Sequence, residues 1–492
     1  MRKQISFAKY QYILFHVLFF AFFLGQSLLN YLNLRLPALD QGIANQALYG
    51  FAHLQNNPCT LLIGQSNAPY LSLHMSLWVP LLSPFYYLFG FYTLFVFQAL
   101  FVVLGGFFIQ QITRNYQLSN AITYLLVAQF YFCWAWIPAF ADGYHENSIA
   151  AGLVPMLFWA YQTMNKKFIW LAFIGMIICK EHVSIWLLFM LPSFLVLTKS
   201  TKKLGAFTLL LMLICVLYFA FISMVLMPII DTQHQFQQLN RFSHLGSNLL
   251  EILQSILRHP IKMLMLFFKS HVQPDDLEIM KWELWLVLLF SGLWTVFFSP
   301  ILLLAFLPLL AQKLWNKEVV FWGINHHYNM EFAPLLAIAS IVFIAQLKNA
   351  KHQKIGSVLL LCSTLFITCW VLFNRKSIWY DQVKENFLIP AHYSSVFNKN
   401  EVNSLKNLIP AQASLSTNSL LVPHFCDRAG IYLFPNDAQA TYLLLLNAAQ
   451  DCYPLDQEAY LNKLADLNKK ESSSFELVAA NQSLSLYRRI KK

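Results

Sequence analysis

Charged side chains are scarce in this chain. They make up 12% of its 492 residues, whereas 58% of the residues are hydrophobic. An ordinary soluble domain carries about 25% charged residues, so the composition excludes a soluble globular protein of this size. Apolar segments recur without a regular polar face, which is typical of helices buried in lipid or in a helical bundle.

Several functional signatures are missing as well. The chain has no CxxC pair, no internal repeat and no low-complexity tract, and its eight cysteines are scattered, so no redox or metal cluster is expected from them. Cys426 and Cys452 either pair or remain thiols. The net charge is +11, but Lys and Arg fall in short links rather than on one face, which does not favour nucleic-acid binding.

The N-terminus has Arg2, Lys3 and Lys9 before a long apolar run that lacks a small-residue cleavage site. This pattern predicts a retained helix rather than a signal peptide.

The apolar runs predict an all-α polytopic membrane bundle over residues 1–373. Two of its helices are short for a hydrocarbon layer of about 30 Å and are expected to form a hairpin. The predicted helices, about eleven in number, are 10–31, 84–112, 119–138, 147–163, 167–179, 183–198, 204–226, 282–298, 300–314, 330–347 and 355–373.

Basic residues predict the orientation, because cytoplasmic links are enriched in Lys and Arg. The N-terminus, Arg114, Lys166, and the basic links 199–203 and 348–354 are placed on the cytoplasmic side. The segments that then face outward are 32–83, 139–146, 180–182, 227–281, 315–329 and the region after 374.

The first outer segment, 32–83, is expected to contain a helix lying along the outer membrane surface. Apolar residues recur there at helical spacing, at Ile43, Ala47, Leu48, Phe51 and Leu54. The next spanning helix is expected to begin near Pro84.

The C-terminal region, 374–492, has short apolar runs bounded by Pro, Asn and Asp, which predicts a small extracytoplasmic α/β domain. Residues 475–479 and 484–487 are expected to form a closing hairpin.

Asp40 lies just past the first helix, on the predicted outer side. It fits either an N-cap, which accepts hydrogen bonds from free helix amides, or a general base that takes the proton of an acceptor hydroxyl.

Asp142, His145 and Glu146 share one very short outer loop. Titratable groups at a membrane face are costly unless they are solvated, paired or used in function. They form either a polar cap on the helix that begins near Asn147 or part of an active site. A His–Glu pair is weak evidence for a metal, so no metal ligand is assigned and a divalent cation stays open.

Lys180 and Glu181 interrupt an apolar hairpin, either as a neutralised kink or with Lys180 facing a phosphate. His326 and His327 precede a predicted helix; adjacent residues on a helix point in different directions, so joint chelation is not expected. Interfacial placement is the favoured interpretation of this pair and of His74, with phosphate contact as the alternative.

Several short motifs follow one another in order along the chain: Asp40-Gln41-Gly42-Ile43, Asn45-Gln46-Ala47-Leu48, His74 with Pro80-Leu81-Leu82, Tyr144-His145-Glu146, Lys180-Glu181, His326-His327-Tyr328, Leu421-Val422-Pro423-His424 and Ile431-Tyr432-Leu433-Phe434-Pro435. Their order resembles a bacterial family of membrane proteins labelled domain of unknown function 2079. In that family's opening motif, Leu and Gly usually follow the Asp, and Phe-Asp precedes the Gln. Here Gln41 replaces the Leu and Ala44-Asn45 stand where the second acid would be, so a second carboxylate near Asp40 is missing.

The family resembles the GT-C glycosyltransferases in layout, which implies an inverting transfer of a sugar from a polyprenyl-phosphate donor at the outer face of the bacterial inner membrane. Asp40 would be the base, and Asp142 and Glu146 are assigned with it to catalysis. The residues assigned to binding of the donor or the acceptor are Gln46, His74, His145, Lys180, Glu181, His326 and His327.

Two alternative functions would place the protein in other classes than the glycosyltransferases. A transporter or lipid flippase would place its polar residues near the bilayer midplane, within related half-bundles. A non-catalytic envelope scaffold would leave the outer polar residues scattered, with Asp40 far from Glu146. The sequence leaves the sugar, the acceptor and the oligomeric state open.

Overall fold

The computed structural model describes residues 2–55, 58–62, 68–231, 236–377, 379–395, 397–428, 430–469 and 474–490, and it is mostly helical. The helices of ten residues or more are α1 (Arg2–Leu32), α2 (Ile43–Ala52), α3 (Tyr92–Asn115), α4 (Asn120–Tyr131), α5 (Asn147–Gln162), α6 (Lys166–Ile177), α7 (Val183–Leu197), α8 (Thr201–Phe221), α9 (Leu249–Arg258), α10 (Ile279–Phe290), α11 (Leu302–Leu314), α12 (Phe332–Gln346), α13 (Ala350–Phe373) and α14 (Gln457–Leu467).

Shorter elements join these helices. Helix α8 continues through a π-helical turn, Ile222–Leu226, into Met227–Ile230. The other short helices are Tyr70–Leu73, Trp78–Leu82, Tyr86–Phe89, Trp136–Ala141, Pro260–Leu266, Gln382–Glu385 and Lys399–Lys406. The strands are β1 (Pro58–Cys59), β2 (Ala68–Pro69), β3 (Leu415–Thr417), β4 (Ile431–Leu433), β5 (Tyr442–Leu446), β6 (Phe475–Ala480) and β7 (Leu484–Arg489).

Among the described residues, four helices are long and apolar enough to cross a membrane: Tyr10–Leu32, Tyr92–Asn115, Thr201–Ile230 and Ala350–Phe373. Helices α7, α11 and α12 are apolar but shorter. The predicted multi-helix membrane bundle is therefore confirmed in kind, but eleven crossings are not confirmed.

Three of the predicted helices were drawn too long. The helix predicted from Pro84 begins at Tyr92, because Gly90 takes a left-handed conformation with φ of 55° and ends the short helix before it. The segment predicted as 119–138 is broken between Tyr131 and Trp136. The segment predicted as 282–298 is divided at Gly292, which has φ of 108° and separates α10 from a 3-10 segment, Leu293–Phe298.

Helices α3 and α5 cross at two glycines. A Cβ atom on Gly105 would lie 2.8 Å from the carbonyl oxygen of Gly152, and one on Gly152 would lie 2.3 Å from the carbonyl oxygen of Phe101. Backbone therefore touches backbone, which is the close approach that small residues permit between membrane helices. The crossing holds the start of α5, and the loop before it, beside α3.

The C-terminal region forms a five-stranded sheet of order β4-β3-β5-β7-β6. Strand β3 runs parallel to β4 and β5, whereas β7 runs antiparallel to β5 and β6. The predicted α/β character and the closing hairpin are both confirmed.

Alternate residues of β5 serve two cores, as the two-residue period of a strand requires. Leu443 and Leu445 pack with Tyr460 of α14, whereas Leu444 and Leu446 belong to the large core that includes the helical bundle. The sheet is therefore packed against the bundle rather than separated from it.

Helix α2 lies under this C-terminal region. Asn45 Nδ2 donates to the carbonyl oxygen of Pro423 at 3.0 Å, and Tyr31 Oη donates to the same carbonyl at 3.1 Å. The helix was predicted at this place, but the C-terminal region covers it, so its apolar face packs on protein. Cys426 is buried and both it and Cys452 are free thiols, so the disulfide alternative is wrong.

The glycine crossing gives a stability prediction. Gly152→Ala forces a methyl group against the backbone of α3, and overpacking of this kind costs about 1–3 kcal/mol, so the unfolding midpoint in detergent should fall. Gly205→Ala is the matched control, because nothing lies within 4 Å of a Cβ atom there. Equal midpoints for the two variants would contradict the close crossing.

Candidate functional site

The loop 142–146 is held from two sides by glutamine side chains. Gln41 Oε1 accepts a hydrogen bond from the Tyr144 amide at 2.9 Å. Gln98 of α3 accepts from the His145 amide at 2.8 Å and donates to the Gly143 carbonyl at 3.0 Å. Gly143 has φ of 100°, and its position fits only a glycine because a Cβ atom would lie 2.6 Å from Gln41 Oε1. The loop is thereby fixed in one conformation.

Asp142 lies buried at the centre of a group of cations. Lys384 Nζ donates to one carboxylate oxygen at 2.6 Å, and His326 Nδ1 donates to the other at 2.9 Å. His327 Nδ1 lies 3.8 Å from that second oxygen. Lys384 comes from the short helix that follows the last long apolar helix, so the C-terminal region contributes directly to the site.

The charges of these groups support one another. Burial by itself would raise the pKa of Asp142, but Lys384 and His326 outweigh it and hold the pKa well below its usual value. Burial would likewise lower the pKa of Lys384 and of His326, and in both cases Asp142 outweighs it and the pKa is raised. Asp142 therefore stays ionised, which makes it a poor proton acceptor and a good anchor.

Both histidines of the pair 326–327 approach Asp142, although they are adjacent in the chain. The segment is not helical here, since His326 has φ of 51°, in the left-handed region. His327 stacks on His145, with ring centroids 3.3 Å apart and planes 16° apart. Burial lowers the pKa of His145 and of His327, so these two stacked rings are neutral at pH 7.

Glu146 is bound at the opposite end of the loop. Tyr70 Oη donates to it at 2.6 Å, and Lys180 Nζ lies 3.5 Å from its second oxygen. Burial raises and Lys180 lowers the pKa of Glu146, and the net shift is downward. Lys180 thus pairs with Glu146 and not with its neighbour Glu181, so the explanation of Lys180-Glu181 as a self-neutralised kink is wrong.

Glu181 is engaged with the segment around His74 instead. Its carboxylate accepts from His74 Nδ1 at 3.0 Å and from the Met75 amide at 3.2 Å, and His182 Nδ1 lies 3.5 Å away. The link between α6 and α7 therefore meets the loop 142–146 and the residues before Trp78 in one continuous polar cluster.

Asp40 differs from the three other carboxylates of the site, Asp142, Glu146 and Glu181. It is exposed, and within the described parts of the chain its side chain makes no hydrogen bond or ion pair. It lies in a π-helical turn, Ala38–Gly42, and neither this turn nor α2 has a side-chain cap, so the N-cap alternative is wrong. Single π turns of this kind occur often at functional sites.

The charge of Asp40 acts on the same cluster. Burial is the main cause that raises the pKa of Tyr328, and the charge of Asp40 is the second. The same charge acts on Lys384 and on His327, after the larger effects of burial and of Asp142. Asp40 therefore lies within electrostatic range of the groups that surround Asp142.

Gln46 stands apart from these groups. Its amide donates to Thr60 Oγ1 at 2.7 Å and accepts from the Thr60 amide at 3.3 Å, and the Thr60 hydroxyl donates to the carbonyl of Ile431. Both ends of this side chain are engaged in joining α2 to the C-terminal sheet, and substrate contact by Gln46 stays a prediction.

Four contributors were missed from the sequence: Lys384, Tyr70, Gln98 and His182. Gln98 and Tyr70 lie within apolar stretches, where a single polar side chain is a weak signal. Lys384 lies in the region assigned to the soluble domain, and no spacing links it to Asp142, 242 residues earlier in the chain.

A family model described as predicted membrane protein (DUF2079) matches residues 30–486. The chain belongs to this family. The match begins within α1 and ends within β7, so it covers every segment of the site in this DUF2079 protein, and the resemblance drawn from the motifs is confirmed. A search of curated proteins gives no match.

The buried pair of Lys384 and Asp142 in this family member can be tested by removing one charge. Lys384→Met leaves the carboxylate with a single partner, and breaking a buried pair costs about 3–5 kcal/mol, so unfolding in detergent should shift to lower temperature. The double variant Lys384→Met with Asp142→Asn should recover part of that loss, because no buried charge is then left unpaired. Additive effects of the two substitutions would mean that the groups are not coupled.

A pH dependence follows from His326. Its pKa is raised in the folded protein, so its contribution to stability is complete below pH 6.5, the unfolded value, and is lost as the pH rises through the folded pKa. His326→Gln should therefore cost about 1 kcal/mol at pH 6 and little at pH 9, measured as unfolding free energies. His352→Gln, an exposed site at the start of α13, should show the same small effect at both pH values.

Proposed function

We propose that the protein is a glycosyltransferase that takes a sugar from a polyprenyl-phosphate donor and transfers it to an envelope acceptor at the outer face of the bacterial inner membrane. The observation that carries this proposal is the division of roles among three carboxylates. Asp142 and Glu146 are buried and paired with cations, whereas Asp40 is exposed and unpaired in the described structure.

A general base must reach the proton that it removes, so a free and accessible carboxylate is required. Asp40 meets that requirement. In the proposed reaction the acceptor hydroxyl attacks the anomeric carbon and Asp40 takes its proton. The bond from the anomeric carbon to the phosphate oxygen breaks, and the lipid phosphate leaves with the electron pair.

The cations of the candidate site suit a phosphate leaving group. Lys384 and His326 are held by Asp142, and Lys180 is held by Glu146, so three positively charged or protonatable groups are fixed in place before a substrate arrives. Pre-arranged charges of this kind stabilise a developing negative charge without reorganisation in the transition state. Asp142 and Glu146 then act by positioning these cations.

The arrangement of helix ends supports a site at one membrane face. Site residues come just before α5 and α12 and just after α6 and α13, whereas the basic links follow α3, α5, α7 and α12. Helix α5 alone separates the two ends by about 24 Å. With the basic links in the cytoplasm, the N-terminus is cytoplasmic and both the site and the C-terminal region are outside.

Two basic residues, Arg375 and Lys376, follow α13 and would lie outside, which counts against this orientation. Of the two, Arg375 is the one whose charge is buried. It forms a buried ion pair with Glu385 at 2.7 Å, so its charge is compensated locally and carries little weight for topology.

The convergence of the polar groups bears on the two alternatives. A scaffold would leave them scattered, yet Asp40 is next to Gln41, which holds the loop that ends in Glu146. A transporter would keep Lys180 and Glu181 in a midplane cavity, yet Glu181 accepts a hydrogen bond from His74, shortly before Trp78, and Lys180 pairs with Glu146 in the loop before α5. These contacts favour one gathered site at one face.

The decisive test is a transfer assay with the protein in lipid nanodiscs. Labelled sugar is offered on a panel of polyprenyl-phosphate sugars together with membrane extract. Wild-type protein should transfer the label from one donor, and Asp40→Asn should lower the rate by about 100-fold or more, the usual loss for a general base.

Asp276→Asn is the control, because Asp276 is also exposed and lies in another predicted outer segment. It should leave the rate unchanged. Full transfer by a folded Asp40→Asn protein would show that Asp40 is not the general base. If folded wild-type protein transfers sugar from none of the donors, the proposed reaction is overturned.

A further inference from the structure

Two imidazoles and a carboxylate meet beside the pair of Glu146 and Lys180. They are His74, which precedes the helix that begins at Trp78, and Glu181 and His182, which lie in the link between α6 and α7. One nitrogen or oxygen atom from each lies within 4.8 Å of the other two. Nothing in the proposed transfer reaction uses this arrangement.

The separations suit a tetrahedral ion. Zinc lies about 2.0–2.1 Å from nitrogen and oxygen ligands, so two ligands of one tetrahedral ion are about 3.4 Å apart. The carboxylate oxygen of Glu181 is 3.0 Å from His74 Nδ1 and 3.5 Å from His182 Nδ1. The planes of the two rings make an angle of 74°, and their centroids are 6.1 Å apart.

We propose that His74, Glu181 and His182 bind one Zn²⁺ ion and leave its fourth coordination position open. Two histidines and one glutamate are a ligand set that zinc uses where an open position is kept. Imidazole nitrogen suits zinc and other first-row transition metals, whereas Mg²⁺ and Ca²⁺ prefer oxygen ligands.

The surroundings fit a bound cation. The side chains of His74 and His182 are mostly shielded from solvent, and the carboxylate of Glu181 between them is buried. The nearest lysine, Lys180, is paired with Glu146, which offsets its repulsion. Glu181 is fixed by the Met75 amide at 3.2 Å, a second contact that orients a ligating carboxylate.

The ion would join two segments that are far apart in the chain. His74 lies 107 residues before Glu181, and the Leu77 amide already donates to the carbonyl of Ile178 at 3.0 Å. The ion would fix Lys180, and through it Glu146, so its binding is expected to stabilise the fold whether or not the protein transfers a sugar.

The experiment measures zinc on the intact protein in detergent, purified with an affinity tag that contains no histidine. The protein is stripped with a chelator, loaded with ZnCl₂, desalted and analysed for metal content. Wild-type protein should retain one zinc per chain and unfold at a higher temperature than the stripped protein. If the desalted wild-type protein retains no zinc, the proposal is overturned.

Variants then locate the ion. His74→Gln and His182→Asn should each lower retained zinc at least tenfold, whereas His53→Gln and His145→Gln should leave it unchanged. Loss of zinc in His145→Gln with full retention in His74→Gln would place the metal at the loop 142–146 and overturn this assignment.

A second measurement does not depend on the folding of any variant. Wild-type protein loaded with Co²⁺ should show the intense visible absorption of a four-coordinate ion. A weak six-coordinate spectrum, or none, would contradict the site even if His74→Gln and His182→Asn fail to fold.

Discussion

A carboxylate buried among apolar helices is tolerated only where cations neutralise it, and this constraint governs the end of the bundle at which the site lies. The charge of Asp142 is balanced by Lys384 from beyond the last long helix and by His326 from the segment before α12. Desolvating such a group without partners costs several kcal/mol, so three distant parts of the chain must meet at one point. The glutamines at 41 and 98 then fix the backbone of the loop that carries Asp142.

The same constraint divides the carboxylates of the candidate site by burial and pairing. Asp142, held by Lys384 and His326, and Glu146, held by Lys180, are buried and ionised, and such carboxylates are poor proton acceptors. Asp40 is exposed and makes no ion pair in the described parts of the chain. Sequence motifs treat the three as equivalent acids, and it is their burial and pairing that distinguish them.

The architecture could be predicted from the sequence where one physical signal dominated. Long apolar runs identified the helices, and the two-residue alternation identified the C-terminal hairpin, Phe475–Ala480 with Leu484–Arg489. Helix ends were less predictable, because Gly90 and Gly292 interrupt apolar runs that hydropathy alone reads as continuous. The extent of membrane crossing also depends on length and tilt, which composition does not determine.

The residues of the candidate site also differ in how far the sequence could predict them. Asp40, Asp142, Glu146, Lys180 and the histidine pair are conspicuous because charge is rare in this chain. Their partners are not conspicuous in the sequence. The ion pair of Lys384 with Asp142, and the pairing of Lys180 with Glu146 rather than Glu181, depend on the tertiary structure. The left-handed backbone at His326 likewise brings two adjacent rings to one carboxylate, whereas adjacent residues on a helix point in different directions.

These contacts also bear on how the C-terminal region relates to the bundle. Leu444 and Leu446 join the large core, Pro423 accepts hydrogen bonds from the bundle side, and Lys384 completes the environment of Asp142. A domain boundary at residue 373 follows from hydropathy. The ion pair between Lys384 and Asp142, however, joins residues on the two sides of that boundary. Because Asp142 needs Lys384, the segment after α13 must be in place before the loop 142–146 can hold its cations, so the assembly of the site is coupled to the docking of the C-terminal region.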